Sequence, residues 1–144
     1  ELDEERRVLT DLLAIAGKLE RLQPRAYLLF CLASVELDAG DALRAAPHLR
    51  EAIKVATEIG AEADLAESVE AAARVATAVG NTVLAFRLVE AVNAIRERIG
   101  FARDTPSQAR YDALTQAMGG LGSAENEPVH TDAPALAIEF PPRR

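Results

Sequence analysis

Two histidines, a lone cysteine and scattered glutamates are the side chains here that could do chemistry, and their spacing argues against a reaction centre. His48 and His130 lie far apart, and neither has a cysteine or second histidine at ligand spacing. No metal is expected, and His48 is expected at or near a helix surface. Cys31 falls inside the most apolar stretch, with nothing nearby to lower its pKa, so a core thiol is expected rather than a nucleophile. Glu67, Glu70 and Glu90 occupy positions where acidic groups ordinarily solvate a helix, and an acid–base pair among them is the less favoured reading. Gly119, Gly120 and Gly122 read as a flexible helix stop. The chain has no G-x-x-x-x-G-K-[ST] phosphate loop, so no nucleotide or other cofactor is expected.

Whatever these residues do, helices must position them. The chain has 144 residues, of which 49% are hydrophobic, 27% charged and only 4% aromatic. Alanine makes up about a fifth, a composition that favours helix over strand. A net charge of −7 disfavours general phosphate binding, so no direct nucleic-acid contact is expected. One cysteine cannot form an internal disulfide, which fits a reducing, cytoplasmic setting. There is no apolar run long enough to span a membrane and no signal-peptide pattern. Arginine outnumbers lysine 14 to 2, compatible with a high-GC bacterial source. The chain opens on Glu1 rather than Met, which leaves room for a longer parent protein.

The most informative feature is a ruler. Glycines recur at Gly40, Gly60, Gly80, Gly100 and Gly120, one every 20 residues. Glycine just past a helix end supplies the left-handed conformation that closes the last turn, so even spacing predicts evenly spaced helix ends. Asp41 and Asn81-Thr82 follow as N-cap chemistry. Apolar periodicity predicts a first helix burying Val8, Leu12, Ile15, Leu19 and Leu22 and ending before Pro24. A second, Ala26 to Ala39, is apolar nearly all round and is expected to be the most buried element. A third spans Asp41 to Ile59, with Ala45, Leu49, Ala52, Ile53 and Ala56 inward and Pro47 expected to shift or disturb it. The fourth, about Ala63 to Val79, turns Leu65, Val69, Ala72, Ala73 and Ala76 inward. The fifth, Asn81 to Ile99, carries Leu84, Leu88, Val92, Ile95 and Ile99. Thr105-Pro106 then caps a short sixth helix ending near Met118.

At an offset of 40 residues, Leu32-Ala33, Glu36, Gly40-Asp41, Ala45, Leu49 and Ala52 align with Ala72-Ala73, Ala76, Gly80-Asn81, Ala85, Val89 and Val92. Small residues let two helices approach, and larger ones a turn away fill the groove. This pattern resembles the tetratricopeptide repeat, although its aromatic positions are aliphatic or small here and the unit is 40 residues rather than about 34. The fold expected is all-α: a right-handed array of about six helices in three hairpins over residues 1–122, with an extended Pro-containing tail over 123–144. An ordinary six-helix bundle is the alternative.

A second resemblance rests on Glu67-Ser68, the Gly80-Asn81 turn, A-x-R-L-x-x-A from Ala85 to Ala91, A-I-R-E-R-I-G from Ala94 to Gly100, and the loop through Pro106 to Tyr111. These resemble the last hairpins of the sensor region in MalT-like and ATP-binding LuxR-type bacterial regulators and related signalling ATPases. The resemblance implies a scaffold that binds a protein, peptide or small effector and relays a signal in transcription regulation. It brings no ATPase or DNA-binding element, since neither signature is present.

In stacked hairpins the first helix of each pair lines the concave surface. The repeat register then offers Tyr27, Phe30 and Ser34, Glu67, Glu70 and Arg74, and Arg110 and Leu114 as partner-binding candidates. Packing of Tyr27 and Phe30 beneath the first helix is the competing reading. Arg96 and Arg98 fit the macrodipole of a helix end and need no ligand. In the tail, Leu136, Ile138 and Phe140 alternate with smaller residues, as in a strand or a groove-binding peptide, and are expected to dock on a helical groove of this chain or a neighbour. The function expected is a non-catalytic interaction or signal-sensing module. A homo-oligomerisation module using the tail or an apolar helix face is the runner-up, with a homodimer as one form, and a small helical enzyme comes third.

Overall fold

The computed structural model describes residues 1–119, which form six α-helices; no strand occurs among the described residues. In order these are α1 (Leu2–Lys18), α2 (Leu22–Asp38), α3 (Ala42–Ile59), α4 (Glu62–Ala78), α5 (Thr82–Ile99) and α6 (Thr105–Gly119). The tail residues Leu136, Ile138 and Phe140, and the glycine at position 120, lie outside the described residues.

The ruler sets the turns. Gly40, Gly60, Gly80 and Gly100 all take left-handed backbone, with φ between 66° and 81°. The residue after each donates its N–H five residues back: Asp41 to Glu36, Ala61 to Ala56, Asn81 to Ala76 and Phe101 to Arg96, at 2.8–3.0 Å. This closure satisfies carbonyls that the helix end leaves unpaired. The same closure occurs one period earlier, where Arg21 donates to Ala16 at 3.0 Å around Glu20, the one non-glycine with positive φ (53°) among the described residues. The 20-residue period therefore begins at Glu20, where a side chain conceals it from a glycine search.

Three boundaries differ from expectation. Leu22 belongs to α2, because Pro24 sits in its first turn, where a missing N–H costs no helical hydrogen bond. Pro47 lies within an uninterrupted α3 capped by Asp41, and the ring removes only the N–H that would bond the Leu43 carbonyl, so the expected disturbance leaves the helix continuous. The cap of α6 is Asp104 rather than Thr105, its carboxylate accepting the Ser107 N–H at 2.8 Å. Elsewhere Asp41 and Asn81 cap α3 and α5 as expected.

Packing follows a simple rule. Each even helix touches its odd neighbours and the next even helix: α2 meets α4 and α4 meets α6, while α1, α3 and α5 do not touch one another. Because α4 is enclosed by α2, α3, α5 and α6, it is the most buried element, a position expected of α2. The inward residues expected on α3 and α4 are all buried, as are Leu88, Val92 and Ile95 of α5. The first helix departs most. Val8, Leu12, Ile15, Leu19 and Leu22 are all exposed, and only Ala16 of α1 is buried. No described helix is long and apolar enough to cross a membrane.

Candidate functional site

Helices α2, α4 and α6 pack in succession, and side chains from all three meet at one place. At its centre is a cavity of about 20 Å³, lined by Phe30 and Ser34 of α2, Glu67, Glu70, Ala71 and Arg74 of α4, Arg96 of α5, and Ser107 and Arg110 of α6. That volume holds about one water. Six of the eight residues expected to share a binding face thus meet around one point.

Their roles differ. Glu67 is half-buried and has no hydrogen-bond or ion-pair partner among the described residues; burial raises its pKa, against the pull of Arg96. Asp64, one turn earlier on α4, is also raised by burial. Glu70 is not a free ligand group: it is 8% exposed and accepts from Arg103 Nε at 2.8 Å, with Arg96 Nε at 3.8 Å. Arg74 is tethered to Asp38 at 3.4 Å, linking α4 to the end of α2. Arg110 Nη2 donates to Ser107 Oγ at 3.3 Å and otherwise faces the cavity. The Ser34 hydroxyl donates to the Phe30 carbonyl at 3.1 Å and so is partly spent within α2.

Two candidates lie elsewhere. Leu114 is buried, and its edge lines a shallower groove of about 270 Å³ between α4 and α6, with Arg74 and Arg110 at the rim. Tyr27 is 51% exposed and belongs to a separate apolar groove beside α1. Its ring centroid is 6.3 Å from that of Phe30, which lines the polar cavity that Tyr27 does not reach. The thiol of Cys31 is pushed up chiefly by burial, which suits an inert residue.

Sequence reasoning missed the guanidinium cluster supporting this face. Arg96 does more than complement a helix end: it is 6% exposed, stacks 5.0 Å from the Phe101 ring centroid and donates to the Phe101 carbonyl at 3.5 Å. Arg103, in the α5–α6 connection, lies 3.7 Å from the Tyr111 ring centroid while gripping Glu70. The only signal in the sequence was arginine at a turn and near a helix end. The resulting wall carries both signs, with Arg74, Arg96 and Arg110 beside Glu67 and Glu70. Among the described residues no group of three or more His, Cys, Asp or Glu could hold a metal ion.

No protein-family model, curated protein or solved structure matches this chain.

Proposed function

We propose that the chain is a tetratricopeptide-like, right-handed array of helical hairpins, with α2/α3 and α4/α5 as complete pairs and α6 opening a third. Its role in this reading is non-catalytic: the face of α2, α4 and α6 recognises a partner and relays its presence within a bacterial regulatory protein, a transcriptional regulator or signalling ATPase of the cytoplasm. The observation that carries the reading is the convergence of Phe30, Ser34, Glu67, Arg74 and Arg110, from three successive even helices, on one polar point. The MalT-like resemblance of the sequence from Glu67 to Tyr111 supplies the regulatory setting.

Size selects among ligands. Small-molecule pockets usually enclose about 300–1,000 Å³, whereas the polar cavity has about 20 Å³. A ligand must therefore lie along the face rather than inside it, which favours an extended peptide over a small effector. Arg74 and Arg110 provide charge-assisted donors for a peptide carboxylate, the half-buried Glu67 an acceptor for backbone or amine donors, and Phe30 an apolar contact. The test is selection from a random peptide display library on the full chain. The reading expects acidic peptides with micromolar affinity whose binding falls at least tenfold in Arg110→Glu; peptides indifferent to that change would overturn it.

The runner-up, a homo-oligomerisation module, is favoured by a different observation: the exposed apolar stripe of α1. It predicts a mass that grows with concentration.

A further inference from the structure

Val8, Leu12 and Ile15 are 47%, 44% and 53% exposed. The internal period gives each a counterpart 80 residues later: Leu88, Val92 and Ile95 of α5, which are 0%, 0% and 3% exposed. Helix α5 touches only α4 before it and α6 after it. Helix α1 has α2 in the place of α6 and nothing in the place of α4. The α3 comparison agrees: Ala52, Val55 and Ala56, the counterparts of Leu12, Ile15 and Ala16, are buried where α2 precedes and packs on α3. The surface left open is a groove of about 370 Å³, bordered by Leu12, Ile15, Leu19, Pro24, Tyr27 and Leu28. It continues, one hairpin earlier, the interface by which α2 meets α3 and α4 meets α5.

We propose that this groove seats a further α-helix of the α4 kind, antiparallel to α1 and supplied by polypeptide that precedes it. The inference rests on the repeat reading of the fold but not on the peptide-binding reading of the polar face. The interface favours such a helix over a second copy of α1. On α5 the counterparts of this stripe, Leu88, Val92 and Ile95, are buried in a helix that packs chiefly on α4, whose buried residues include Ala66, Ala72, Ala73 and Ala76, whereas two α1 stripes would set large against large. The spacing also favours a helix over the tail, since Leu136, Ile138 and Phe140 repeat every second residue and the stripe every third or fourth.

The register of the missing helix is fixed. Asn81 follows Gly80 as the cap of α5, and Glu1 is its counterpart ahead of α1. A copy of residues 61–80 joined directly before Glu1 of the full chain therefore supplies the proposed partner. The expected result is a monomer whose Tm rises by at least about 5 °C, with the rise lost when Leu12→Glu and Ile15→Glu are added. Three results would overturn the proposal. One is no rise in Tm from the added helix. The second is a concentration-dependent dimer of the unextended chain that Ile15→Glu dissociates, which assigns the groove to a second copy. The third is a fall in Tm from Leu136→Asp with Phe140→Asp that Ile15→Glu abolishes, which assigns it to the tail. None of these readouts depends on Arg74 or Arg110, so failure of the peptide site and failure of this proposal remain separable.

Discussion

Arg103 donates from Nε to Glu70 Oε1 at 2.8 Å, tying the α5–α6 connection to the middle of α4. Both side chains are about nine-tenths buried. The Arg103 guanidinium also lies over Tyr111 and reaches Asn93 Oδ1 at 3.4 Å, so one residue positions α6 against α4 and α5. The polar face depends on this arrangement, because Arg110 and Ser107 reach the cavity only if α6 is seated.

Removing Arg103 strands a buried carboxylate. Loss of one partner from a buried pair costs about 3–5 kcal/mol, but Arg96 remains 3.8 Å from Glu70 and softens the loss. Arg103→Ala is expected to destabilise by about 2–3 kcal/mol. Pairing it with Glu70→Gln should recover part of that. A double-mutant cycle from urea unfolding checks it, and additive losses would show that the pair is not coupled.

Glu20 occupies a left-handed position that glycine fills at the other four turns. A left-handed residue with a side chain costs roughly 1–2 kcal/mol, part of which glycine returns through its freer unfolded chain. Glu20→Gly is therefore expected to stabilise by about 0.5–1 kcal/mol, and Gly60→Ala to destabilise by about 1 kcal/mol or more. Thermal unfolding of the two variants should move in opposite directions.

His48 gives the protein a pH dependence. Burial pushes its pKa below the ordinary 6.5, against the raising influence of Glu36 and Glu51 and with Arg44 adding to the drop. Between its folded pKa and 6.5 the unfolded chain binds more protons than the folded one, so stability rises with pH across that window. On acidification below 6.5 the protein should lose stability, and His48→Gln should flatten the profile there. An unchanged profile in that variant would mean His48 is not the group responsible.

Glu67 runs the other way. Its pKa is raised chiefly by burial, so between the ordinary 4.5 and its folded value the folded chain binds more protons, and stability falls as pH rises. Glu67→Gln is expected to raise Tm at pH 7, with the gain fading as the pH drops below the carboxylate range. It should also weaken the selected peptide. Greater stability with weaker binding is the signature of a group kept for recognition.

Helices α3 and α5 were legible because three independent signals coincided: left-handed glycines at the ends, Asp41 and Asn81 as caps, and stripes of 3.6-residue period; α4, which starts at Ala61 without a side-chain cap, rested on the glycines and the stripe alone. The exposure of α1 was not legible. Periodicity reports that Val8, Leu12 and Ile15 share a face, and it is silent on whether anything covers that face. The binding candidates followed from register, so Phe30, Ser34, Glu67, Arg74 and Arg110 do meet, while Tyr27 parts from them because it stands at the edge of the uncovered groove. The use of Glu70 as an anchor depends on Arg103 and Arg96, which approach from later in the chain through the path of the α5–α6 connection. No local pattern encodes that path.

The most direct test of the polar face is to map a selected acidic peptide by backbone amide shifts on the full chain. The largest changes are predicted at Ser34, Glu67, Arg74 and Arg110, on three separate even helices, with Arg110→Glu suppressing them together. Changes concentrated instead along α1 and the start of α2, from Leu12 to Leu28, would contradict recognition by the α2–α4–α6 face.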